Sequence, residues 1–192
     1  MQIGKFGASI GLALLLSGCQ SSGVGPVDTS SPVKAGTMRV ATKNPDPARW
    51  IAERDPSQIV YKCRPLACAD HTAVIARFDN APTSKPDPAA LSKLAGAPAD
   101  VLARASSRPG DTSVVQATKL AGRVEKTKGY PAVQTMVALK KTDGRTLYFM
   151  EHTVFANVAM LKLQVGSFSR SAAEKAMQEF LSVVVIEEGA AN

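Results

Sequence analysis

The sequence predicts an α+β fold, an antiparallel β-meander with a C-terminal amphipathic helix and short helices packed on the sheet. Three observations predict it. Long alternating segments after residue 113 are joined by tight-turn chemistry, as hairpins are. The stretch after Ser171 carries its apolar residues at helical spacing. Asp-Pro pairs stand where short helices would begin, with Asp as cap and Pro at the first helical position.

In chain order, Asp46-Pro47 followed by Ala-Arg-Trp-Ile-Ala-Glu-Arg predicts a short helix carrying Trp50 and Ile51. Trp50 is the only tryptophan, and core packing is its expected role. Residues 57–63, with Ile59, Val60 and Tyr61, and residues 72–78, with Val74 and Ile75, read as strands joined by 64–70. Asp87-Pro88 opens a helix that reaches Leu94. A second helix, 99–106, sets Val101, Leu102 and Ala105 on one side and is broken by Arg108-Pro109-Gly110-Asp111.

Strands are expected over 114–126, 132–140, 145–154 and 157–165. Lys128-Gly129-Tyr130-Pro131 and Thr142-Asp143-Gly144-Arg145 are turn sequences, and Asp-Gly is a strong short hairpin signal. In the second of these strands Val133, Thr135, Val137 and Leu139 share one face while Gln134, Met136, Ala138 and Lys140 share the other. Ser171-Ala-Ala-Glu174 has the form of a capping box. The stripe after it is Ala173, Ala176, Met177, Phe180, Leu181 and Val184, which should dock on the apolar face of the meander. A long meander closed by such a helix resembles the α/β/α sandwich of PsbP-type domains, and that resemblance concerns fold alone.

The chain has 192 residues, 45% of them hydrophobic and 5% aromatic, so it can bury one core built mainly from Val, Leu, Ala and Met. Lys5 and the apolar run 8–16 form a leader too short for a membrane span, which takes about 20 residues. Leu16-Ser17-Gly18-Cys19 follows at once and resembles the lipobox of bacterial lipoproteins. That resemblance implies cleavage before Cys19, a lipid on its thiol and a membrane partner reached through the lipid; the alternative is an ordinary secretory signal. The expected organisation is a signal peptide over 1–18, a Ser-, Gly- and Pro-rich tether over 19–36 and one domain over 37–192. Gln20 stands where enterobacterial lipoproteins kept in the inner membrane carry Asp, so the expected location is the periplasmic face of the outer membrane rather than the inner.

Cys63 and Cys68 are expected to form a disulfide, because an exported chain meets an oxidising compartment. Their spacing differs from the two intervening residues of thioredoxin-like redox pairs. His71 and His152 lack metal-ligand spacing, and no Gly-x-Ser-x-Gly elbow, phosphate loop or dinucleotide fingerprint occurs. No cofactor and no metal are expected. Asp143 falls in a turn and Glu174 in a cap, so paired carboxylates for glycoside hydrolysis are not indicated.

The net charge is +7, and removing residues 1–18, which carry only Lys5, leaves +6. A basic balance suits anionic lipid, acidic polysaccharide or nucleic acid, and export disfavours nucleic acid. Lys119, Arg123, Lys126 and Lys128, with Lys140, Lys141 and Arg145 around the Asp-Gly turn, are expected to converge at one end of the sheet as an anion-binding surface. The competing reading is protection of strand edges against aggregation. The function that follows is a lipid-anchored envelope protein with a non-enzymatic binding or scaffolding domain, its partner an envelope protein, anionic lipid or polysaccharide. The alternative is a periplasmic hydrolase or redox accessory whose site assembles only in the fold.

Overall fold

The computed structural model describes residues 38–55, 58–68, 70–80, 85–106, 113–157 and 159–189. The leader, Cys19, the tether and the helix breaker at 108–111 lie outside them. Among the described residues no helix is long and apolar enough to cross a membrane.

Among the described residues nine strands and three helices follow in the order β1 (Met38–Thr42), β2 (Trp50–Asp55), β3 (Gln58–Cys63), β4 (Ala73–Asn80), α1 (Pro88–Ala95), α2 (Ala99–Ser106), β5 (Val114–Thr127), β6 (Tyr130–Lys141), β7 (Thr146–Ala156), β8 (Ala159–Ser167), α3 (Arg170–Ser182) and β9 (Val184–Glu188). Seven strands form one antiparallel sheet in the order β2-β3-β4-β8-β7-β6-β5. The four strands β5 to β8 are the meander that the turn chemistry predicts. The β4–β5 connection carries α1 and α2 to the far edge of the sheet, and β8 returns to pair with β4. β1 and β9 make a separate two-stranded ribbon, joined from Met38↔Glu188 to Thr42↔Val184.

The two faces of the sheet bury different partners, as strand alternation requires. One face meets α3 and the ribbon. There Trp50, Tyr61, Val74, Leu161 and Leu163 pack with Ala173, Ala176, Met177 and Phe180 of α3, Met38 and Val40 of β1, and Val184 of β9. The other face, over β5 to β7, meets α1 and α2 through Leu91 and Ala95 against Val133 and Phe155, and Ala103 against Val137 and Leu139. The result is a three-layer sandwich with the sheet in the middle.

Several elements depart from the sequence reading. Asp46 caps a single turn, accepting from the backbone N–H of Ala48 and Arg49 at 2.9 and 3.3 Å, and no helix follows. Trp50 to Asp55 instead pair with β3 from Trp50↔Cys63 to Asp55↔Gln58. The ladder and the complete burial of Trp50 outweigh the local Asp-Pro signal. Ser169, rather than Ser171, caps α3 by accepting from the Ala172 N–H at 3.3 Å, and Glu174 pairs with Arg170. The helix is also not the last element, because β9 turns back to join β1.

Candidate functional site

Cys63 and Cys68 are joined by a disulfide with Cα atoms 5.8 Å apart. It closes a loop held by Cys63 N–H to Thr72 O at 3.1 Å and Arg64 N–H to Arg49 O at 2.9 Å, with Leu66 fully exposed at its tip. A ring this small removes little unfolded-state entropy, so its reduction should cost roughly 2 kcal/mol. Thermal melts with and without reductant are expected to show a modest drop in Tm with the cooperative transition retained.

The basic residues do not gather at one place. β5 and β6 are antiparallel and their two-residue loop is Lys128-Gly129, which puts Lys126 and Lys128 at one end of the hairpin and Lys140, Lys141 and Arg145 at the other. About ten strand residues, roughly 35 Å, separate them. Lys119 and Arg123 sit mid-strand opposite Val137 and Gln134, an odd spacing that sends them to opposite faces. Lys119 donates to the Ala95 carbonyl at 2.6 Å, Arg123 pairs with Glu125 at 2.7 Å, and Lys141 donates to Ser113 Oγ at 2.7 Å. Arg145 pairs with Asp143 at 2.7 Å and lies over the Phe168 ring at 4.4 Å. The hydrogen bond from Arg145 holds the Asp143 carboxyl below its ordinary range. Lys140 is exposed. His71, also exposed, meets the edge of the same Phe168 ring at 6.4 Å with a φ of 52°.

The most developed polar constellation surrounds His152, which is 0% exposed. β5, β6 and β7 are neighbours, and Gln134 lies directly across from His152 on the α3-facing side. Thr127 Oγ1 is 2.8 Å from Nε2, Glu125 Oε1 is 3.1 Å from Nδ1, and Gln134 Oε1 is 3.3 Å from Nδ1. Glu125 and Thr127 reach the ring together because residues two apart on a strand share a face. An ionised carboxylate and an amide oxygen can only accept, so the network assigns the proton to Nδ1 and leaves Nε2 to accept from the Thr127 hydroxyl. Tyr130, the cross-strand partner of Thr127, donates to Glu188 of β9 at 2.6 Å, and that bond raises its phenol to about 12. Asn157 donates to the same carboxylate at 2.7 Å. The sequence reading places His152 on a strand face but does not join it to Glu125 and Thr127, since the β5–β6 and β6–β7 registers together bring them into contact.

Burial lowers the pKa of His152 below its ordinary 6.5; Glu125 opposes that shift and Arg123 adds to it. A histidine depressed in the folded state binds fewer protons there than in the unfolded chain. Its stabilising contribution is therefore complete above pH 6.5 and is lost as pH falls below it, by at most about 1.4 kcal/mol per pH unit. Melts between pH 7.5 and 5 should show a decline in Tm for the native chain and a flatter profile for His152→Gln.

Among the described residues no group of His, Cys, Asp and Glu is arranged to hold a metal ion. No family model and no curated protein sequence matches the chain. Solved structures do match. The solution structure of cyanobacterial PsbP from Synechocystis sp. PCC 6803 aligns with a TM-score of 0.53 and 12% identity, covering 85% of this chain and 100% of that one. The crystal structure of LpqN, involved in cell envelope biogenesis of Mycobacterium tuberculosis, aligns with a TM-score of 0.48 and 19% identity, covering 81% of this chain and 89% of that one. At such identities the likeness to cyanobacterial PsbP is one of architecture, and the three-layer sandwich of this chain has a PsbP-like fold.

Proposed function

We propose that the protein is a lipoprotein of the bacterial cell envelope, anchored through lipid on Cys19 with its domain facing the periplasm, where it binds or scaffolds an anionic envelope component. The observation that carries this reading is Leu16-Ser17-Gly18-Cys19 directly after the apolar run 8–16. Two ester-linked chains and an N-acyl chain anchor stably, each buried methylene contributing about 0.8 kcal/mol, where one chain alone is marginal. Gln20 in place of Asp favours the outer membrane.

The polarity of the fold supports a choice of partner. β1 begins at Met38 opposite Glu188, which Tyr130 and Asn157 hold at the end bearing the Lys128-Gly129 turn. Lys140, Lys141 and Arg145 lie at the far end of the β5–β6 hairpin. The positive charge grouped at that end suits an acidic polysaccharide.

Intact mass and membrane fractionation of the native protein beside Cys19→Ala test the anchor. A lipidated, membrane-bound native chain and an unlipidated, soluble variant are expected; an unmodified, soluble native chain overturns the reading. Retention on a polygalacturonate column that weakens with salt and is lost in Lys140→Glu/Lys141→Glu is the expected sign of the partner class. Equal retention of that variant would remove those lysines from the partner site.

A further inference from the structure

β5 is an edge of the sheet, and among the described residues no strand pairs with its outer side. It is 14 residues long, and the unpaired main-chain donors and acceptors of such an edge are a template for another strand. The opposite edge, β2, is short and closes in Glu53-Arg54-Asp55, the charged form that protects an edge. On the β5 side exposed apolar side chains gather instead: Leu120 and Val124 on the strand, and Leu94 near the end of α1, whose next residue meets Gly122 and Lys119 through the Ala95 carbonyl.

The pairing pattern of β5 selects what fits there. Its register with β6 shifts between Lys119 and Ala121, and the strand ends at Thr127 before the Lys128-Gly129 turn. Ala121 to Thr127 is therefore one regular stretch, with Val124 at its midpoint. A two-fold axis beside Val124 lays this stretch antiparallel against its own copy. Val124 then faces Val124, Arg123 faces Glu125 and Glu125 faces Arg123, while Gly122 faces Lys126 and Ala121 faces Thr127. Directly opposed residues share a face, opposite charges there stabilise a ladder and like charges weaken it. This register opposes no like charges.

Within one chain Arg123 already reaches Glu125 at 2.7 Å, so two chains close a ring of two guanidinium and two carboxylate groups on the side where Arg123 neighbours Gln134. On the other side Val124, 45% exposed and opposite Val133, is covered by its copy. From this complementarity we infer that the protein self-associates as a two-fold dimer through the outer edge of β5, with Arg123 and Glu125 paired across the seam and Val124 at the axis. The dimer depends on the domain alone, whether or not Cys19 carries lipid. Lys140 pairs with Gln116, outside the seam, so the basic ends stay at the two outer ends of the assembly. A contact this small is that of a weak dimer, with a Kd on the order of micromolar.

Sedimentation velocity of the purified full chain in non-ionic detergent, over a dilution series spanning micromolar concentrations, tests the association. The native chain should shift from monomer to dimer, and Cys19→Ala should follow it. Arg123→Glu opposes Glu to Glu125 at two symmetric places and should weaken association about tenfold or more. Circular dichroism and melting curves establish that it is folded. Directly opposed residues of an antiparallel ladder have Cα atoms about 4.5–5.5 Å apart, within disulfide reach. Mild oxidation of Val124→Cys should therefore link two copies, with the link mapped to position 124. Val115→Cys, at a site 59% exposed but beyond the seam, should stay unlinked. If Arg123→Glu does not fold, the oxidation alone decides. A native chain that stays monomeric throughout the series, association lost in Cys19→Ala, equal association of a folded Arg123→Glu, or Val115→Cys linking as readily as Val124→Cys overturns the dimer.

Discussion

Replacing Phe180 by Ala is expected to destabilise the domain by about 3–5 kcal/mol, the range for a fully buried aromatic whose site cannot collapse. Phe180 is 0% exposed and meets Trp50 edge-on at 5.2 Å and Tyr61 at 4.6 Å. One side chain of α3 thereby joins the helix to β2 and β3, at the edge of the sheet where Arg49 also pairs with Glu179 at 2.6 Å. Truncation would leave a void bounded by two rigid rings on strands held by their ladders, so little relaxation is available. The single tryptophan is itself a wall of that void, which makes urea denaturation followed by Trp50 fluorescence a direct readout. The expected result is a large fall in the midpoint with an unchanged slope. A loss under about 1 kcal/mol would mean that α3 does not clamp this edge.

The second large effect is expected at Gly122. A Cβ there would overlap the Ala95 carbonyl oxygen at the end of α1 and crowd the Lys119 ammonium that donates to the same oxygen. The obstacle is backbone on one side and a sheet strand on the other, so Gly122→Ala must push α1 off the sheet. Overpacking of this kind costs typically about 1–3 kcal/mol, and Leu91 and Ala95 lose their seat against Val133 and Phe155. Hydrogen exchange should show loss of protection in α1 with β6 to β8 still protected. Gly144→Ala is the useful contrast. It sits at φ 83° with open space around it, so its cost is a local turn strain that leaves α1 untouched.

The sequence and the fold agree where the physical signal is local. The strands β5 to β8 are legible because turn residues and alternation lie within a few positions of one another, as Asp143-Gly144 does between Lys141 and Arg145. α1 follows from Asp87-Pro88 in the same way, with Asp87 accepting from the Ala90 N–H at 2.6 Å. β2 is misread because Asp46-Pro47 specifies one turn, while the next residues answer to β3 across a ladder. β1 and β9, five residues each, exist through pairing between Met38 and Glu188, which no window on the sequence can contain. The basic residues are read as one patch because a list of lysines does not show that a hairpin sends its two ends apart.

By itself the sequence determined the meander and its turns, the two short helices, and the Cys63–Cys68 pair. All of these rest on residues close together in the chain, where propensity, turn chemistry and spacing act. Tertiary structure alone decided the place of β8 beside β4, the β1–β9 ribbon, the separation of the basic residues, and the meeting of His152 with Glu125 and Thr127. Strand register and burial are cooperative: a one-residue slip moves every side chain to the other face, and only the packed core selects among the registers.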